Sequence, residues 1–321
     1  MAGPNRRPIH IMFRLNKSSQ IRRELAKMRS EIDSLKILAA QPLIQRIRNG
    51  NSTASLHEAE FKVFSQFGDD GIIQYLVHHL APLPDLFVEF GVEDYRESNT
   101  RFLLLNNNWR GLVLDSDGPA IQAIRRDEIY WRHTLTAKHA WITRDNINEL
   151  IRSAGFSGEI GLLSIDIDGN DYWIWEKLDI VSPAITIVEY NSVFGPDFAV
   201  TIPYGEKFVR HRAHYSGQFW GASLSALDLL AKRKGYSLIG CNRAGNNAYF
   251  VHNTRLNKLP VLTPNQAFVD ARWRDSRNES QELTHLSGRQ RFEVIAHLEV
   301  YDLKQDKQVP LGSLRSTDSS S

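Results

Sequence analysis

LLSIDIDGNDYWIWEKL, residues 162–178, is the stretch that decides the fold. An apolar run stops abruptly in two acids one residue apart, Asp166 and Asp168. A Gly-Asn-Asp step follows, and then an aromatic, helix-like pattern begins. Continuous rather than alternating hydrophobicity is the mark of a strand covered on both faces, as in a parallel sheet. Acids at the carboxyl end of such a strand sit where open α/β sheets bind their ligands.

Reading outward, the same alternation recurs. FSQFGDDGIIQYLVHHL (64–80) reads as a loop and a helix, DLFVEFGVED (85–94) as a strand ending in Glu89 and Gly91, and SNTRFLLLNN as the start of a helix. GLVLDSD (111–117) and YWRHTLTA (130–137) read as the second and third strands. DNINELIRSAG reads as a helix closed by Gly155. GLLSIDID is the fourth strand and AITIVEYN (184–191) the fifth. The rhythm breaks after GASLSALDLLAKRKG (221–235), a helix closed by Gly235. YSLIGC, a RAGNN turn and AYFVH then form a β-hairpin. The expected architecture is a doubly wound, mostly parallel seven-stranded α/β sheet ending in an antiparallel hairpin.

Composition agrees with a folded domain: 42% apolar, 24% charged and a net charge of +2, which argues against a nucleic-acid partner. One cysteine, Cys241, excludes an internal disulfide framework. No run reaches the roughly 18 apolar residues of a membrane span, and the N-terminus lacks a signal-peptide core, so cytoplasmic residence is expected. Residues 1–50 carry eleven Lys/Arg against three Asp/Glu. Within them Ile21, Leu25, Met28, Ile32 and Leu35 recur at spacings of 4, 3, 4 and 3. This basic helical extension either forms a short homo-oligomeric coiled coil over residues 20–40 or packs on its own domain, and its charge suits peripheral contact with an anionic membrane. Residues 55–303 are expected to form the domain, and the Ser-rich stretch 304–321 a disordered tail.

The parallel sheet with a terminal hairpin looks like the class I S-adenosylmethionine (SAM)-dependent methyltransferase architecture, and SIDIDGNDY resembles the strand-end motif of the FkbM-like methyltransferases. The likeness covers residues 60–252, with the 221–251 block as its second part. VEFGVEDYRESN resembles the first motif of such enzymes without the later glycines. An acidic loop suits a cationic sulfonium better than a pyrophosphate, which needs a glycine-rich cradle. The resemblance implies that Glu89, Gly91, Asn99, Asp115 and Ala137 contact SAM. Asp115 would take the ribose, with Asp117 the lesser choice, and Lys138 and His139 would adjoin Ala137 near the adenine. It also implies Mg²⁺ held by Asp166, Glu189 and Asn191, with Asp168 as base or, without metal, Asp168 or a histidine such as His214. Asp168 and Asp171 taken singly read equally as helix caps.

Between the fifth strand and the next helix lies a long loop, 191–220, rich in aromatic and basic residues. Tyr204, Arg210, His211, Tyr215 and Trp220 are its candidates for a glycan acceptor, by stacking and by charge. His211 and His214, three apart, would alternatively ligate a metal. The expected activity is O-methylation of a sugar hydroxyl on a glycan or glycosylated product, as in polysaccharide biosynthesis. Two rivals are a metal-dependent glycosyltransferase, using Asp166-Ile-Asp168, and a non-catalytic assembly protein on the same scaffold.

Overall fold

A computed structural model describes residues 9–50 and 55–317; side chains 9–19, 22, 316 and 317, with much of the basic N-terminus, lie outside the described set. The chain opens with a long helix, α1 (Ile9–Asn49), a single turn, α2 (Leu56–Ala59), and α3 (Asp69–His79). Strands and helices then alternate: β1 (Leu86–Phe90), α4 (Arg101–Asn107), β2 (Arg110–Asp115), α5 (Gly118–Arg126), α6 (Glu128–Arg132) and β3 (Leu135–His139). Next come α7 (Ile147–Arg152), β4 (Gly158–Ile165), α8 (Asp171–Lys177) and β5 (Val181–Glu189). After the long loop, α10 (Leu224–Arg233) leads to the hairpin β7 (Tyr236–Cys241) and β8 (Asn247–His252). The loop itself contains β6 (Val200–Thr201) and the short α9 (Arg210–Ala213).

The principal sheet has the order β3-β2-β1-β4-β5-β8-β7. Strands β1 to β5 pair in parallel, and β8 inserts antiparallel between β5 and β7. This is the class I methyltransferase, Rossmann-like fold, with five parallel strands and a hairpin at one edge. Two apolar layers cover the sheet. One gathers Trp175, Ile174 and Leu227 from α8 and α10; the other gathers Ile72, Leu76 and Tyr75 from α3 with Ile47 of α1. The order reverses between β1 and β4, which opens the crevice at their carboxyl ends.

Two expectations change. The third strand begins at Leu135, because Tyr130 and Trp131 belong to α6, capped by the Asp127 carboxylate. The tail expected from residue 304 is instead structured through residue 317; residues 318–321 lie outside the description. After α11 (Pro264–Ala267) and α12 (Arg289–Ile295), β9 (Glu299–Asp302) and β10 (Lys307–Pro310) form a second sheet with β6, and Leu311 is fully buried. Phe292, Ile295, Val300 and Leu311 share a core with Val193, Phe194, Val200, Ile202 and Phe219 of the long loop. The segment after β8 is what holds that loop down.

Two local constraints fix the crevice. Gly91 has φ +73°, and a Cβ there would meet the Asp166 carbonyl oxygen at 1.5 Å. Backbone cannot yield to that degree, so Gly91→Ala is expected to cost at least about 3 kcal/mol or to prevent folding. Urea unfolding, or loss of soluble protein, measures this; near wild-type stability would refute the contact.

Asp70 folds the turn before α3. One of its oxygens accepts from the backbone N–H groups of Val63, Phe64 and Ser65 at 2.7–2.8 Å. Burial nevertheless outweighs these donors and pushes its carboxyl up to about 6. A value raised in the folded state favours folding at low pH, and that contribution, about 3 kcal/mol, is lost as the pH rises from about 4 through about 6. Asp70→Asn, which cannot ionise, is expected to lack that slope in urea unfolding followed from pH 4 to 7. Identical slopes in both proteins would count against it.

Candidate active site

The strand ends enclose a cavity of about 790 Å³. Nine of its lining residues are Asp or Glu, and Arg210 is the one cation among them. It contains no glycine-rich cradle, so its charge favours a cation and opposes a phosphate.

Each sequence-nominated acid has a distinct place. Glu89, at the end of β1, accepts from the backbone N–H groups of Asn99 at 2.8 Å and Thr100 at 3.1 Å, and from the Thr100 hydroxyl at 2.5 Å. It thereby anchors the acidic loop and the start of α4, whose cap residue Thr100 makes no capping bond of its own. Burial pushes its carboxyl up. Asn99 donates to Ser164 Oγ at 3.0 Å and faces the cavity. Asp115 closes β2; its two oxygens accept from Glu93 N and Asp117 N, each at 2.7 Å. Asp117 caps α5 through Ala120 N.

The three acids of the opening motif divide their tasks. Asp171 is fully buried and accepts from Ile167 N and Gly169 N, each at 2.9 Å, so it shapes the turn; burial pushes it to about 6. Asp168 is left-handed, at φ +55°, and its exposed carboxylate is paired at 2.9 Å with Arg210. Asp166 faces Glu189 of β5. Burial, joined by the charge of Asp168 at Asp166 and of Asp166 at Glu189, raises both carboxyls well above the usual range, so the pair retains a proton that separated carboxylates would lose. Glu189 Oε2 and Asn247 Oδ1 line the cavity, buried and without a protein partner. Two orphaned acceptors are what a donor or a cation would satisfy.

Arg210 spans the cavity mouth. It pairs with Asp168 and, at 3.1 Å, with Asp275, donates to the Gly217 carbonyl at 2.9 Å, and lies 4.7 Å from the Trp220 ring centre. The charges of Asp168 and Glu189 hold its guanidinium firmly protonated despite burial.

Other candidates fall elsewhere. Asn191 is turned away: its amide donates to the Gln218 and Trp220 carbonyls, its oxygen accepts from Val193 N, and it serves as a cap. With Asn191 spent on the backbone, the three nominated Mg²⁺ ligands do not converge: only Asp166 and Glu189 face one another, and Asp168, the nominated base, is paired with Arg210. Among the described residues no group of three or more His, Cys, Asp or Glu is placed to hold a metal, His211 and His214 included. His214 bonds Ser216 Oγ at 2.8 Å beside His297, outside the cavity, and burial lowers its pKa. Tyr204 stacks with Arg144 against Trp173, and Trp220 lies beneath Arg210. His211 and Tyr215 are likewise off the lining, so Arg210 alone of the five loop candidates reaches it. Ala137 is buried within β3, its carbonyl accepting from Arg125, while Lys138 and His139 bond Ser153 and Ser116. The next three residues, Ala140, Trp141 and Ile142, line the cavity instead, with Phe208, Asn246 and Asn247. Phe208 was visible as one aromatic among many; its tight seat on Gly169 was not.

No family model and no curated protein matches the chain. The chain is similar to several solved structures at low TM-scores. The M. capricolum TrmK complex with S-adenosylhomocysteine is 10% identical, covering 55% of this chain and 65% of that one, less than two thirds, with a TM-score of 0.33. A putative O-methyltransferase from Klebsiella pneumoniae is 15% identical over 69% of this chain and 96% of that chain, with a TM-score of 0.37. The O-methyltransferase from Bacillus cereus in complex with SAH is 13% identical over 65% and 87%, with a TM-score of 0.36. The fold assignment itself rests on strand order and direction.

Because the Asp166 and Glu189 carboxyls are both raised, the pair favours folding at low pH and costs stability as the pH rises. Asp166→Asn is therefore expected to stabilise the chain at pH 7.5 by about 1 kcal/mol, and by less at pH 5. Urea unfolding at both values tests it; a variant no more stable than wild type at pH 7.5 would remove the like-charge reading.

Proposed function

We propose that the chain is a SAM-dependent O-methyltransferase acting on a sugar hydroxyl of a glycan or glycosylated product. The carrying observation is the strongly anionic cavity at the carboxyl ends of β1, β2, β4 and β5, with orphaned Glu189 Oε2 and Asn247 Oδ1 inside it. These acceptors fit a cationic sulfonium and its ribose and amino groups. When bound, that cofactor supplies an electrophilic methyl group whose transfer to a hydroxyl oxygen discharges the sulfonium.

On this reading Asp115 accepts from the ribose hydroxyls with its remaining lone pairs, at the end of β2. Trp141 and Ile142 flank the adenine, and the acidic loop 93–97 supplies field rather than a phosphate cradle. The Asp166–Glu189 pair, with its raised proton affinity, takes the proton the acceptor hydroxyl loses. Arg210 orients an acceptor hydroxyl and screens the ionised pair, and Phe208 offers an apolar wall to a sugar ring. Since the proposed Mg²⁺ ligands do not converge, the proton is routed to this pair and the positive charge beside it is Arg210. The Asp-x-Asp glycosyltransferase reading is disfavoured by the same charge, which opposes a nucleotide diphosphate.

Calorimetry with SAM and S-adenosylhomocysteine tests this first. Micromolar binding is expected, weakened at least about tenfold by Asp115→Asn, which loses a charged acceptor. Methyl transfer to a pool of sugars, followed by mass, should then rise with pH through an apparent value above the usual carboxylate range and collapse in Asp166→Asn. Well-folded protein that binds neither compound, but binds a nucleotide sugar with Mn²⁺, would overturn the proposal.

A further inference from the structure

Helix α1 presents two different faces. Ala40, Ile44 and Ile47 are buried against the domain, Asp33 pairs with Arg101 at 2.9 Å, and the Ser30 hydroxyl donates to Glu128 at 2.7 Å. The opposite face carries Ile21, Leu25, Met28, Ile32 and Leu35, each between 47% and 64% exposed. Seven of the twelve exposed large apolar side chains among the described residues lie between positions 21 and 43.

We propose that a second copy of this chain covers that face, forming a short parallel two-stranded coiled coil over residues 21–39. The register argues it. Leu25 and Ile32 occupy a, and Ile21, Met28 and Leu35 occupy d. In the same register the docked residues Asp33, Ala40 and Ile47 fall at b, and Ser30 and Ile44 at f, the side of a coiled-coil helix that faces away from its partner. One helix thus meets its own domain with b and f and is free to meet another helix with a and d. The seam stops at Ala39, one heptad after Ile32, and Pro42 takes the following d position.

Charge selects both partner and direction. Glu24 and Glu31 fall at g, Arg29 and Lys36 at e, and all four are exposed. In a parallel pair, Glu24 of one copy faces Arg29 of the other, and Glu31 faces Lys36. An antiparallel pair would set glutamate against glutamate and cation against cation. On the seam's rim the two glutamates offset the two cations, which leaves an anionic bilayer no net charge there to bind, so a membrane is the poorer occupant. The inference is independent of what the cavity binds.

Sedimentation velocity of the full chain across a concentration series is the test, beside Leu25→Asp/Ile32→Asp and Leu25→Cys. Both positions are exposed, and an unchanged melting profile confirms that the domain is intact. A reversible dimer is expected, weakened on the order of 100-fold or more by the double aspartate, which places unpaired charges in the seam. Leu25→Cys is expected to form an intermolecular disulfide on oxidation, since the native Cys241 is buried. A monomer at every concentration, a dimer indifferent to the double variant, a higher oligomer, or failure of Leu25→Cys to cross-link would overturn the proposal. So would a monomer that floats with phosphatidylserine vesicles through the same residues.

Discussion

Strands β1 and β4 end so close together that position 91 must be glycine: the Asp166 carbonyl occupies the space a Cβ would need. That contact sets the spacing of everything above it. It brings Glu89 and the acidic loop beside Asp166, and the parallel register of β4 with β5 brings Glu189 to the same point. Like charges are thereby assembled where the sheet leaves them no room to separate. The site is an electrostatic liability that packing on both faces of the sheet overrides, a common arrangement where stability yields to function.

The parallel sheet was legible because its strands are buried on both faces and read as unbroken apolar runs ending in acids. The hairpin was legible from its turn. The third strand was misplaced by five residues at its start, since the aromatic Tyr130 and Trp131 favour strands until an aspartate cap turns them into a helix. The small sheet was missed for a different reason. Its strands are two to four residues long, and β6 gains its partner β9 only across about a hundred residues of chain.

In the site, the acids nominated by strand-end position line the cavity, whereas Asn191, Ala137 and most residues nominated by loop composition do not. Glu89, Asp115, Asp166 and Glu189 line the cavity because backbone topology puts them there. Asn191 sits one register step past Glu189, yet a cap for the following turn claims its side chain. Of the nominated loop residues, only Arg210 arrives, because acids on two different segments pull it in. Spacing along the chain locates strand ends well; it does not say which way a loop side chain turns.

The pairing of β6 with β9 has a temporal consequence. Val200 and Thr201 find their partners in Asp302 and Tyr301, about a hundred residues later in synthesis. A nascent chain emerging from the ribosome therefore completes its parallel sheet and hairpin well before the small sheet that pins the strap carrying Arg210 can form. By then the main sheet has already brought the crevice carboxylates together. The last strands to form add the clamp on the loop that carries their one cation, on a scaffold already stable enough to bear the crowding.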